Sequence, residues 1–154
     1  MIWERKELCL LVEAEALKQE IDPALCAAIV EVVSEWQPNR ISVLSDDDLH
    51  LQPSAFPTKA GEMALMASRI GLFQFQGAQA RHLDYKQGLD DLLLPTTNLE
   101  IGIKLLKRSL EQAGRAVDRA LLIMYGYSIV PMIPKIAMKV KAFRELFLTR
   151  PDVH

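Results

Sequence analysis

Apolar positions recur at helical spacing through most of the chain. Leu8, Leu11, Val12, Glu15 and Ala16 begin an amphipathic pattern that predicts a helix running to about Glu20. Asp22-Pro23 then opens a second helix, with an N-cap acceptor followed by proline in the first helical position. That helix places Leu25, Ile29, Val32, Val33 and Trp36 on one stripe and ends before Pro38. From about Asn39 to Pro57 the chain is polar and broken by prolines, so it reads as loop, including Ser45-Asp46-Asp47-Asp48. Thr58 caps a helix through Met63, Leu65 and Met66, and a short link delivers Gly71-Leu72-Phe73-Gln74-Phe75. After a loop around Gly88 to Pro95, a helix from about Thr97 to Gln112 turns Leu99, Ile103, Leu106 and Leu110 inward. Val117 to Met124 form another. Pro131 and Pro134 interrupt the chain before a final amphipathic helix, Lys135 to Leu148. No repeat and no alternating strand pattern of useful length appears. The expected fold class is all-α, with about six to seven helices around one core.

Composition narrows this further. The 154 residues suit a single domain, 1–154, with an N-terminal helix (1–20), a central body (21–128) and a C-terminal helix (129–154). A net charge of -2 gives no electrostatic footprint for nucleic acid or an acidic membrane surface. Cys9 and Cys26 both lie in apolar helical stretches, which fits two buried thiols or a disulfide between the two helices. His50, His82 and His154 are isolated, so no metal site and no cofactor is expected. Glu13 and Glu15 break the one apolar stretch near the N-terminus that resembles a signal core, and no run is long enough to cross a bilayer. The expectation is cytoplasmic synthesis without a signal peptide, with incorporation into a virus particle as a route outward.

Four ordered segments carry the candidate chemistry. They are Ala28-Ile29-Val30-Glu31-Val32-Val33-Ser34 with Pro38 beyond it; Gly71-Leu72-Phe73-Gln74 through Leu83; Leu92 through Gly102, containing Pro95, Asn98 and Leu99; and Ala120-Leu121-Leu122-Ile123-Met124-Tyr125. Together they resemble the motifs of lytic transglycosylases, the goose-type-lysozyme-like domains that cleave peptidoglycan. The family's patterns are Ala-Ile-x-x-x-Glu-Ser; Gly-Leu-x-Gln-x-x-x-x-Thr-Ala-x-x-Leu; Leu-x-x-Pro-x-x-Asn-Leu-x-x-Gly; and Ala-Leu-x-x-x-Tyr. Gln79 stands where Thr is usual, and Gly77-Ala78 in place of a proline resembles the phage and proteobacterial branch.

The resemblance implies a lysozyme-like helical fold and a cleft in which one glutamic acid protonates the glycosidic oxygen. A sugar hydroxyl then closes onto the anomeric carbon. Val33 stands at the position of that acid. The family's Asn after the last Tyr is also missing, since Tyr125 is followed by Gly126-Tyr127-Ser128. Glu31 and Glu35 are the nearest substitutes. At about 100° per residue each lies roughly 160° around the helix from Val33, and their spacing sets them together on a solvent-facing side. By resemblance Ser34, Gln74 and Tyr125 contact glycan. Ser34 equally suits a bond to a carbonyl one turn back, and Tyr125 suits a buried position with a satisfied hydroxyl. Lys135, Lys139, Lys141 and Arg144 make a basic side on the final helix, either exposed or a docking face. Three functions remain open: a catalytically degenerate glycan-binding or structural component of a phage particle or cell-wall-penetrating assembly; an active lytic transglycosylase using Glu31, Glu35 or a loop carboxylate; and a helical protein-interaction module. Expected partners are the peptidoglycan glycan strand or proteins of such an assembly, with no nucleic acid.

Overall fold

The computed structural model describes residues 3–44 and 62–149, so Asp46, Asp47, Asp48, His50, Thr58 and His154 lie outside the described residues. Helix α1 (Arg5–Lys18) leads into α2 (Pro23–Ser34). Asp22 caps α2 by accepting the Ala24 N–H at 2.9 Å, and Pro23 loses nothing in a first turn whose N–H groups have no helical partner. The predicted single stripe on α2 is too narrow. Ala24 through Val30 are all buried, because α2 packs against both α1 and the last helix, α7 (Ile133–Thr149). A helix covered on several sides is apolar around its circumference. Ala24, Ala27 and Ala28 keep the side chains on its flanks small.

A three-stranded antiparallel sheet follows, which the sequence reading did not anticipate. Its strands are β1 (Ile41–Val43), β2 (Ser68–Ile70) and β3 (Phe75–Gln76), paired Ile41 to Ile70 and Ile70 to Phe75. Strands of two or three residues are too short to show a period of two. Short helices α3 (Met63–Met66) and α4 (Gly77–His82) flank β2 and β3. A 3-10 turn, Leu89–Leu93, precedes the long α5 (Pro95–Gln112), and α6 (Val117–Tyr125) leads through a second 3-10 turn, Tyr127–Met132, into α7. Seven α-helices among the described residues match the expected class. Proline placement differs in one respect: Pro134 lies in the first turn of α7 and helps open it, where the sequence suggested an interruption.

The core joins Leu8 and Val12 of α1, Ile29 of α2, Phe73 and Phe75 of the hairpin, and Leu99 and Ile103 of α5. Both cysteines are free and buried, which decides against the disulfide. Burial pushes the Cys26 thiol far above its ordinary range, with the Asp22 charge adding to the effect. Since the thiolate is the reactive form, Cys26 is expected to resist a thiol reagent in native buffer and to label fully in denaturant. Mass spectrometry of the labelled chain checks this; labelling of native Cys26 within minutes would contradict it. Among the described residues, no helix is long and apolar enough to cross a membrane.

Candidate functional site

Val33, one residue before the end of α2, is part of the main apolar cluster, with only 9% of its surface exposed. Ser34 beside it is fully buried, and its hydroxyl donates to the Val30 carbonyl at 2.9 Å. The hydroxyl is therefore committed to the helix. Two successive left-handed residues, Glu35 (φ 53°) and Trp36 (φ 62°), then reverse the chain. This conformation costs roughly 1–2 kcal/mol per residue, and the packing of Trp36 offsets it. The indole is buried, meets Phe143 edge-on at 6.1 Å between ring centroids, and donates to Glu31 at 3.3 Å.

The reversal separates the two candidate acids, correcting the expectation that they share one solvent-facing side. Glu35 lies past the helix end with a side chain 71% exposed, 4.0 Å from Arg40. Glu31 sits beneath α7, paired with Arg5 and, at 2.8 Å, with Lys139. Burial by itself raises the Glu31 carboxyl. The hydrogen bonds from Lys139 and Trp36 and the charges of Arg5 and Lys139 outweigh burial, and hold it below its ordinary value of 4.5. Glu31 is thus ionised at neutral pH and has no proton to give. Lys139 and Arg144 also change the picture of a free basic side on α7, since Lys139 pairs with Glu31 of α2 and Arg144 meets its cap, Asp22, at 2.8 Å.

A pH dependence follows from the lowered Glu31 value. The stabilisation is present above the carboxylate's unfolded pKa and is lost as pH falls through the folded one. Glu31→Gln is expected to cost about 1 kcal/mol near pH 7, the scale of partly exposed ion pairs. The difference from wild type should shrink between pH 7 and an acid pH below the folded value. Urea titrations at both pH values read this directly, and an equal cost at both would mean that packing, not charge, is what Glu31 contributes.

The second candidate region is the hairpin turn between β2 and β3. Gly71 has φ +71°, and a Cβ there would lie 2.3 Å from the Asn98 amide nitrogen, so only glycine fits. Asn98, on the first turns of α5 and fully buried, closes the turn with three bonds. It accepts the Phe73 N–H at 2.9 Å and donates to the carbonyls of Ile70 (2.9 Å) and Leu92 (2.8 Å). Gly102, one turn further along α5, leaves room for Phe73, whose ring atoms a Cβ would meet at 2.5 Å. The spacing of Leu92, Asn98 and Gly102 is therefore a seat for the Phe73 turn.

Gln74 is 3% exposed and adopts φ 50°. Its amide donates to the carbonyls of Arg40 and Gly71, both at 2.9 Å, and its oxygen accepts the Ser42 hydroxyl at 2.8 Å. Gln74 thus clamps the start of β1 to the hairpin turn. Gln79 also works internally. Gln76 and Gln79 form a reciprocal capping box on α4, and the Gln79 amide donates to the Met124 carbonyl at 2.8 Å.

Tyr125, at the end of α6, is buried with its hydroxyl donating to the Phe73 carbonyl at 2.5 Å. Burial drives that phenol far above its usual pKa. Arg69 of β2 lies over the Tyr125 ring at 5.7 Å and donates to the Tyr125 carbonyl and the Ser128 hydroxyl. Next to it Gly126 adopts φ 75°, ψ -170°. That region is essentially restricted to glycine. The backbone after Tyr125 has therefore taken a course that an asparagine would strain.

The structure links Gln74 and Tyr125 through the single turn Gly71–Gln74. Ser34 stands apart from this link, bonded within its own helix. All three polar side chains are turned inward, where they fix backbone. Arg69 and the pairing of Glu31 with α7 were missed by sequence reasoning. Arg69 lies outside the quoted motifs, and Lys139 is 108 positions from Glu31, so no local spacing signals that pair. Among the described residues, no group of His, Cys, Asp and Glu is placed to hold a metal ion. A family model described as "Transglycosylase SLT domain" matches residues 11–132. Neither a curated protein nor a solved structure matches the chain.

Proposed function

The chain belongs to the transglycosylase SLT domain family, and on that premise we propose that it is a catalytically degenerate member. It engages the glycan strand of peptidoglycan, or serves as a structural part of a phage particle or cell-wall-penetrating assembly, without cleaving the sugar chain. The observation that carries this is the state of the carboxylates around Val33. The valine cannot hold a proton, Glu31 is held ionised against α7, and Glu35 projects into solvent beyond the helix end. General acid catalysis is typically worth ~10²–10⁴-fold, and neither flanking glutamate is placed to supply it. The glycine-only backbone at Gly126 supports the same conclusion. Gln74 and Tyr125 take part by holding the segments Arg40–Ser42 and Gly71–Gln74, whose outer faces meet the glycan, while Ser34 fixes the end of α2. The phage context rests on the Gly77-Ala78 form of the second motif.

The test is incubation of the purified chain with insoluble peptidoglycan, followed by sedimentation and mass spectrometry of the soluble fraction. Retention on the pellet without anhydro-muropeptides is the expected result. Anhydro products from the wild-type chain would overturn the loss of catalysis, and Glu35→Gln together with Asp46→Asn, Asp47→Asn and Asp48→Asn would then locate the acid. Failure to sediment would replace the glycan role with a protein-interaction role.

A further inference from the structure

A second concave site lies among α4, α5 and α6, built from residues that the motif-bearing turn does not use. It is a cavity of about 180 Å³. The buried Gln79, Leu105 and Ser109 form its floor, Ile123 one wall, and the exposed His82, Arg108 and Gln112 its rim. The floor residues are at least nine-tenths buried: Gln79 is 7% exposed, Leu105 7% and Ser109 5%.

Ser109 is the unusual member. A buried serine on a helix normally bonds a carbonyl one turn back, as Ser34 does to Val30. Among the described residues the Ser109 hydroxyl has no hydrogen-bond partner. A buried polar group left unpaired costs about 1–3 kcal/mol, so such groups are rare and point to a missing partner. Gln79 adds to the imbalance. Its oxygen accepts the Gln76 N–H and one amide hydrogen serves Met124, which leaves the second amide hydrogen unspent. At the rim, Arg108 has no carboxylate within ion-pair distance among the described residues.

Each unpaired group can donate, and one of them is a guanidinium; they are set beside the apolar Leu105 and Ile123. We propose that this cavity binds a small carboxylate bearing a short aliphatic group, such as the C-terminal residue of a peptide. The carboxylate meets Arg108 across its two planar N–H groups, the Ser109 hydroxyl donates to it, and the aliphatic part lies on Leu105 and Ile123. The volume is below the ~300–1,000 Å³ of drug-sized sites, which restricts the occupant to a single residue or fragment. The proposal is independent of whether the chain cleaves glycan.

Butyrate is the probe, with butyramide as its neutral isostere and inorganic phosphate as the alternative oxyanion. Titrations of the full chain are followed by amide chemical shifts. Butyrate is expected to give saturable shifts confined to Gln79, Ser109 and Ile123 and their neighbours, and butyramide none. Arg108→Gln should weaken butyrate binding at least tenfold. Ser109→Ala should weaken it several-fold while leaving the melting temperature unchanged or raised, since it removes an unpaired hydroxyl. No saturation by butyrate, equal binding of butyramide, tighter binding of phosphate, or unchanged affinity in Arg108→Gln would each overturn the assignment.

Discussion

Val33→Glu is expected to release anhydro-muropeptides from peptidoglycan at least a hundredfold faster than the wild-type chain, the lower end of what a positioned general acid supplies. The site is suited to such an acid. It is 9% exposed and belongs to the main apolar cluster, so a carboxyl placed there is desolvated and its pKa rises. A protonated carboxyl at neutral pH is the form a proton donor needs. The larger side chain also costs roughly 1–3 kcal/mol in an already packed position.

The pH dependence of that cost has a definite sign. A folded-state pKa raised above the unfolded value leaves the variant least penalised at acid pH, below the unfolded pKa. Stability is then lost as pH rises through the folded value. Val33→Gln, similar in shape but without a titrating proton, should show neither the activity nor the pH slope. Muropeptide mass spectrometry and melting curves across pH read the two effects separately. A folded Val33→Glu chain with the expected slope and no anhydro product would overturn the expectation that an acid at Val33 alone restores cleavage.

Asn98→Ala is expected to be the most destabilising single change among the polar residues of the motifs, at about 3–5 kcal/mol. The side chain is fully buried and completes the Phe73 N–H and the carbonyls of Ile70 and Leu92. Truncation removes a bond from each of three buried backbone groups. Against a domain stability of about 5–15 kcal/mol, that removes a large share. Ser34→Ala, which deletes one bond made within a helix, should cost about 1 kcal/mol or less by comparison. Urea denaturation of the two variants gives the ratio. A loss below 1 kcal/mol for Asn98→Ala would mean that the Gly71–Gln74 turn is held by something other than this amide.

These two residues also mark how far sequence reasoning reached. Helical spacing located the helices because periodicity is a local property: α2 opens at the Asp22-Pro23 signal, and α6 spans the apolar run from Val117. The sheet escaped because its pairing joins residues such as Ile41 and Ile70, far apart in the chain and in strands too short for alternation. The motifs were legible as letters, but their spacing did not disclose that Asn98 seats the Phe73 turn or that Gln74 grips Arg40 and Ser42.

The sequence by itself determined a mainly helical chain with four ordered motif segments, the first of which carries Val33 between Glu31 and Glu35. Tertiary structure decided what surrounds that valine. Helical geometry placed Glu31 and Glu35 on one face. The left-handed reversal at Glu35 and Trp36 separates them, and Arg5 and Lys139 reach Glu31 from helices distant in sequence. A side chain's position on its own helix follows from local spacing. Its protonation and its partners depend on charges and burial contributed by distant segments, and those exist only after the chain has folded.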